Sequence, residues 1–151
     1  MELNSDFKDL LSALSTARVR YLVVGGYAVM QHTEPRYTKD LDIWVDPTRA
    51  NAQRVFAVLK RFGAPLRGIS PEDFMNERLV YQAGVEPVRI DILMGILGVR
   101  FEDAWAARTR ARWGRLLVNV LSARHLIANK RKVGRAQDLI DVARLRPLLK
   151  R

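Results

Sequence analysis

Between Tyr21 and Val45 the chain reads Tyr21-Leu22-Val23-Val24-Gly25-Gly26-Tyr27-Ala28, and later Lys39-Asp40-Leu41-Asp42-Ile43-Trp44-Val45. No other stretch restricts the fold as strongly. A short apolar run that ends at two glycines predicts a buried strand running into a turn. Tyr27 to His32 then has room for about two helical turns before Pro35. In the second run Leu41, Ile43 and Val45 fall on one face of a strand, and Asp40, Asp42 and Trp44 on the other, because side chains alternate with period two. The aliphatic face must be core, so the two carboxylates share the face opposite to it.

A third acid sits in a similar setting. In Val88-Arg89-Ile90-Asp91-Ile92-Leu93 the two isoleucines require the core, which sends Asp91 to the other side. If this strand lies beside the Asp40–Asp42 strand, three carboxylates converge. At about 6 Å, each pair of anions repels by roughly 3 kcal/mol at an effective dielectric of 20. A cation relieves that cost, and Mg²⁺ is the expected one, since it takes hard oxygen ligands and pairs with phosphates. Gly25-Gly26 admits two readings. It is a tight strand–helix turn, or its backbone N–H groups and the helix dipole form a phosphate cradle. Asp40 and Asp42 likewise read either as metal ligands or as salt-bridged surface acids, and Trp44 as a core aromatic or a base-stacking platform.

The remaining segments supply a frame for that centre. Ser5 reads as the N-cap of a helix with the apolar stripe Phe7, Leu10, Leu11 and Leu14. Thr48 caps a helix to about Phe62, with Val55, Phe56, Leu59 and Phe62 buried and Gly63 as its stop. Ser70-Pro71 opens a short helix. Leu79–Gln82 and Val88–Leu93 form a hairpin through Gly84 and Pro87. A brief helix runs from Phe101 to about Arg108, and strands follow at Arg110–Arg115 and Leu116–Val120. Ser122 caps a helix to about Val133, Gly134 ends it, and a last helix runs from Arg135 to near Leu149. His32 and His125 are not at ligand spacing. With no repeat or linker, the 151 residues predict one α/β (α+β) domain, a small mixed β-sheet flanked by helices. Its core spans about 18–95, and a basic C-terminal helical part spans about 100–151.

Composition enters where it excludes functions or locates charge. There is no cysteine, hence no disulfide framework and no thiolate centre. No apolar run approaches the roughly 18 residues of a membrane span. Met1-Glu2-Leu3-Asn4-Ser5-Asp6 lacks the basic and apolar regions of a secretion signal, so a cytoplasmic protein is expected. The net charge of +10 is lopsided. Residues 1–99 hold twelve basic and twelve acidic side chains, whereas residues 100–151 hold fourteen basic side chains against Glu102, Asp103, Asp138 and Asp141. Such asymmetry points to a polyanionic partner for the C-terminal third, or to a merely solvated basic surface.

Gly25-Gly26, thirteen residues, Asp40-x-Asp42 and a distant Asp91 between aliphatics resembles the nucleotidyltransferase superfamily of the polymerase-beta type. The tail, Asn129-Lys130-Arg131-Lys132 followed by Gly134-Arg135-Ala136-Gln137-Asp138-Leu139-Ile140-Asp141, is similar to the abortive-infection and type IV toxin branch and to small nucleotidyltransferase-like proteins. The resemblance implies a nucleotide transferred from an NTP to an acceptor hydroxyl by a two-metal Mg²⁺ mechanism. Asp40, Asp42 and Asp91 would be the catalytic residues and metal ligands, with Asp91 also orienting or deprotonating the attacking hydroxyl. Gly25 and Gly26 would hold phosphate oxygens, and Arg36, Thr38 and Lys130 are further candidates for nucleotide binding on charge and position. The family more often has Gly-Ser than Gly-Gly, so a hydroxyl contact to phosphate is absent at Gly26. RNA, tRNA in particular, is the acceptor suggested by the basic third, and an antitoxin-type protein is a further implied partner. The alternative is a catalytically degenerate module of the same fold that binds a nucleotide, nucleic acid or a protein.

Overall fold

Apolar runs of the expected periods form the expected elements, with differences at their ends. The computed structural model describes residues 3–85 and 87–150. Met1 and Glu2, part of the segment read against a secretion signal, and Glu86, between the Gly84 and Pro87 expected to carry the hairpin connection, lie outside the described residues. Helix α1 (Ser5–Thr16) buries Phe7, Leu10, Leu11 and Leu14. Its cap is Asn4 rather than Ser5, because Asn4 Oδ1 accepts from Asp6 N at 2.8 Å while Ser5 has already entered the helix. Strand β1 (Tyr21–Val24) is buried throughout and passes directly into α2 (Gly25–His32), so both glycines lie in the first helical turn.

Strand β2 (Asp40–Val45) fully buries Leu41, Ile43 and Val45. Trp44, on the other face, meets Phe101 edge-on at 5.0 Å and is core. Helix α3 (Arg49–Phe62) stops at Gly63, whose φ of 86° is left-handed. Its buried stripe is Asn51, Ala52, Val55, Val58 and Leu59, which leaves the expected Phe56 and Phe62 only half-buried. Thr48 precedes the helix without a side-chain capping bond. Asn51 is buried although it is polar, because its amide is satisfied there. Its side chain accepts from Arg20 N and donates to the carbonyls of Arg20 and Asp46.

A 3₁₀ turn (Pro71–Met75) leads to β3 (Val80–Ala83) and β4 (Arg89–Leu93), an antiparallel pair. Helix α4 (Phe101–Ala106) precedes the hairpin of β5 (Thr109–Trp113) and β6 (Leu116–Val120). Helix α5 (Ala123–Val133) is capped by Ser122 and ended by Gly134. Helix α6 (Ala136–Leu145) stops short of Leu149, and the chain continues as a 3₁₀ turn over Arg146–Lys150, where Pro147 cannot donate to an α-helical ladder.

The six strands form one mixed sheet in the order β3-β4-β2-β1-β6-β5. β1 runs antiparallel to β2 and parallel to β6, while β2 and β4 are parallel. The basic C-terminal third therefore contributes two strands to the sheet besides its helices. No helix among the described residues is long and apolar enough to cross a membrane.

Candidate active site

The sheet register decides which acids meet. β2 and β4 pair with Asp42 opposite Asp91 and Ile43 opposite Ile92, so the aliphatic faces coincide and the carboxylates coincide with them. Asp40 lies two residues earlier, on the same face as Asp42. One carboxylate oxygen from each of Asp40, Asp42 and Asp91 lies within 4.8 Å of the others. They face a cleft of about 380 Å³ where β1 ends and β2 and β4 begin, closed on its far side by α5 and the start of α6. A groove of about 480 Å³ between α1 and α3 lacks any such convergence of acids.

Arg89 stands directly opposite Asp40 in the register. Its guanidinium donates to Asp40 Oδ2 at 2.7 Å and to Asp91 Oδ2 at 3.3 Å, and Nε lies 3.2 Å from Asp91 Oδ1. That last contact lacks hydrogen-bond geometry, and Asp91 Oδ1 is buried without a hydrogen bond. Burial first, then the charges of Asp91 and Asp40, push the Asp42 carboxyl up to about 7, against the opposing pull of Arg89. Three crowded hard-oxygen donors, one of them raised by burial and by the charges of the other two, fit a divalent cation. Sequence reasoning left Arg89 out. Its signal was its place two residues before Asp91, on the same strand face.

The glycines are fixed by these acids. Gly25 has φ of 66°, and a Cβ there would collide with the Asp42 carboxylate. A Cβ on Gly26 would lie 2.5 Å from Thr38 Oγ1, so the threonine hydroxyl fills the space where a side chain at residue 26 would begin. Gly25 lines the acidic cleft. Arg36 and Thr38 line an adjoining groove of about 570 Å³ with Tyr27, Met30 and Tyr37. The structure thus brings Gly25, the three acids and Lys130 to one cleft and sets Arg36 and Thr38 beside it, behind buried Gly26.

Lys130 reaches the cleft wall from α5, but its ammonium is buried and committed. Nζ lies 3.1 Å from Asp138 Oδ1 and 3.0 Å from Asp141 Oδ2. Asp138 also receives Arg135 Nε at 2.8 Å, and Asp141 receives Arg36 at 3.1 Å and Gln137 at 3.0 Å. Burial raises the Asp138 carboxyl, but its bonds from Arg135 and Lys130 together hold it below the ordinary carboxylate range. Asp138 and Asp141 are therefore partners of Lys130, and Arg36 ties the loop before β2 to α6.

No protein-family model matches the chain, and no curated protein matches it in sequence. Solved structures do. A Thermotoga maritima protein assigned as a nucleotidyltransferase superposes with a TM-score of 0.61 at 17% identity, covering 96% of this chain and 91% of its own. The lincosamide antibiotic adenylyltransferase LnuA, with lincomycin bound, gives 0.60 at 15% identity over 95% of this chain and 96% of its own. ANT(2″)-Ia, in complex with adenylyl-2″-tobramycin, gives 0.56 at 15% identity over 92% of this chain and 84% of its own. Sheet order, helices and near full-length superposition place this chain in the nucleotidyltransferase fold.

Proposed function

We infer that this protein is a divalent-metal-dependent nucleotidyltransferase that moves a nucleotidyl group from an NTP to an acceptor hydroxyl. The observation that carries the reading is the convergence of Asp40, Asp42 and Asp91 within 4.8 Å, in a cleft of a nucleotidyltransferase fold. Asp40 and Asp42 would hold Mg²⁺ with the triphosphate, and Asp91 would complete a second metal position. Bound Mg²⁺ supplies charge stabilisation on the attacking and leaving oxygens. The acceptor oxygen forms a bond to the α-phosphorus, the bond from that phosphorus to the β-phosphate bridge breaks, and pyrophosphate leaves with the electron pair. Asp91 takes or directs the hydroxyl proton. Gly25 brings backbone to the cleft wall at the N-terminus of α2, where the helix dipole favours phosphate.

RNA is the preferred acceptor on the strength of the basic C-terminal third. A toxin-like role, with an antitoxin-type partner, belongs to the same reading. LnuA and ANT(2″)-Ia were solved with small antibiotics or their adenylyl adduct, so small hydroxylated molecules are the acceptors to set against RNA.

The test is transfer of label from each α-³²P-labelled NTP in Mg²⁺, with total RNA, lincomycin or tobramycin as acceptor. The expected result is labelled acceptor with the wild type and at least a hundredfold less with Asp40→Ala/Asp42→Ala. Absence of transfer from every NTP to every acceptor overturns the enzymatic reading. A second reading, a binding module without catalysis, is favoured by the Arg89 guanidinium that already engages Asp40 and Asp91. It predicts nucleotide or RNA binding with no labelled product.

A further inference from the structure

The positive charge of the C-terminal third is unevenly used. Lys130 is consumed in a buried ion network. On β5, by contrast, Arg110 and Arg112 are exposed and alternate with buried Ala111 and Trp113. In register they pair with Asn119 and Leu117 of β6, and Leu117 is exposed. These four side chains share one face of the hairpin.

That face can be traced to the acids. Thr109 pairs with Val120, Val120 with Val23, and Val23 with Ile43, so those side chains occupy the opposite, core-facing side. Alternation then places Arg110, Arg112, Leu117 and Asn119 on the sheet face that carries Asp40 and Asp42. Arg108 extends the row. Its Nε donates to Asn119 Oδ1 at 3.4 Å, and its guanidinium stacks 3.9 Å from the Trp105 ring, which Arg20 also approaches at 4.8 Å. Arg20 is neutralised by Asp46 and Glu102. Among the described residues no carboxylate forms an ion pair with Arg108, Arg110 or Arg112. Burial, and then repulsion from Arg110 and Arg20, holds the Arg108 guanidinium below its ordinary value. Three uncompensated guanidiniums on one face, one fixed in place by stacking, call for an anion from outside.

We propose that the outward face of the β5–β6 hairpin, with Arg108, Arg110 and Arg112 as its cationic row, binds the backbone of a single-stranded RNA segment. The inference deepens the nucleotidyltransferase reading and rests on it only for RNA's role as acceptor. Side chains two apart on a strand stand about 7 Å from one another, a spacing comparable with successive phosphates on an extended strand. Leu117 supplies apolar surface for a base. Asn119, whose oxygen accepts from Arg108, retains an amide N–H donor for a base edge or a 2′-hydroxyl. An acidic protein partner fits less well, since among the described residues of the row Leu117 is the one exposed large apolar side chain that could anchor it.

The test is fluorescence anisotropy with a labelled, unstructured RNA of about 15 nucleotides, without Mg²⁺ or NTP, across a salt series. The wild type should bind with log affinity falling by about 2 per log unit of salt, as expected for three phosphate contacts on a single strand. Arg110→Gln/Arg112→Gln should weaken binding at least tenfold and flatten that slope by about 1.4. Arg131→Gln/Lys132→Gln, at exposed positions of α5, removes the same charge and should cost less than threefold. Equal losses in the two double variants, preference for duplex DNA or poly-glutamate over RNA, or no RNA binding would each overturn the proposal. Circular dichroism confirms that both variants fold, and Arg112→Lys, which keeps the charge, should retain at least half of the wild-type affinity. Asp40→Asn/Asp42→Asn should bind RNA at least as well as wild type. Absence of transfer by the wild type while its RNA binding is intact would count against the enzymatic reading alone.

Discussion

Asp42 concentrates the physical tension of the site. Its carboxyl is raised to about 7 by burial and by Asp91 and Asp40, with Arg89 pulling the other way and Arg135 also within electrostatic reach. A raised acid binds its proton more tightly in the folded state than in the unfolded one. Metal-free stability from this group is thus fully present below about pH 4 and is lost as the pH rises towards about 7. Thermal melts in EDTA should show the melting temperature falling across that window through this contribution. Asp42→Asn should flatten the fall and melt higher than wild type at pH 8. A variant that melts lower at pH 8 would mean that the carboxylates do not repel one another in solution. The same residue dictates a neighbour, since Gly25 has no room for a Cβ against the Asp42 carboxylate. The Gly-Gly pair in the sequence was legible as a strand–helix turn. That its first member answers to a distant carboxylate was not, because only the β1–β2 pairing brings Val24 opposite Asp42.

Among the elements, α5 and α6 are joined by the buried cluster of Lys130, Asp138 and Asp141, and Arg36 extends it to the loop before β2. Breaking one partner of a buried ion pair leaves a charge without compensation and typically costs about 3–5 kcal/mol. Lys130→Met should therefore destabilise the protein by roughly that amount in urea unfolding. Adding Asp138→Asn and Asp141→Asn should recover a large part, since the stranded carboxylates are then neutral. A loss below about 1 kcal/mol in the single variant would show that Lys130 is solvated in solution, since exposed pairs contribute no more than that. The tail's Lys-Arg-Lys run and two aspartates were visible in the sequence, where the aspartates read as first-turn acids or as partners of Lys130 without a choice between the two. Helical spacing alone leaves a lysine at a helix end open to solvent, phosphate or carboxylate; here the packing of α6 against α5 selects carboxylates.

For the whole molecule, the acids and the exposed basic row carry opposite charge, so under the proposed function they would draw ligands of opposite sign. The acidic cleft should take up a divalent cation and stabilise the native state by mass action, because unfolding disperses the three carboxylates. Mn²⁺ at about a hundred times its dissociation constant should add about 2.7 kcal/mol, read as an upward shift in melting temperature. Asp40→Asn/Asp42→Asn should abolish that shift. An unchanged melting temperature in wild type would rule out a metal site formed by these acids.

The sequence by itself determined the elements and their faces. Period-two alternation put Asp40 and Asp42 on one side of a strand, isoleucines flanked Asp91, and Gly63 and Gly134 ended their helices, because each of these follows from local sterics and from the need to bury apolar side chains. Tertiary structure alone decided the parallel pairing of β2 with β4, and with it the meeting of Asp42 and Asp91. It also set Arg89 against two of the acids, buried Lys130 between Asp138 and Asp141, and turned Arg110 and Arg112 to the face that bears the acids. These contacts join residues far apart in the chain, and a charged side chain's partner depends on which strands and helices pack together, which no local pattern encodes.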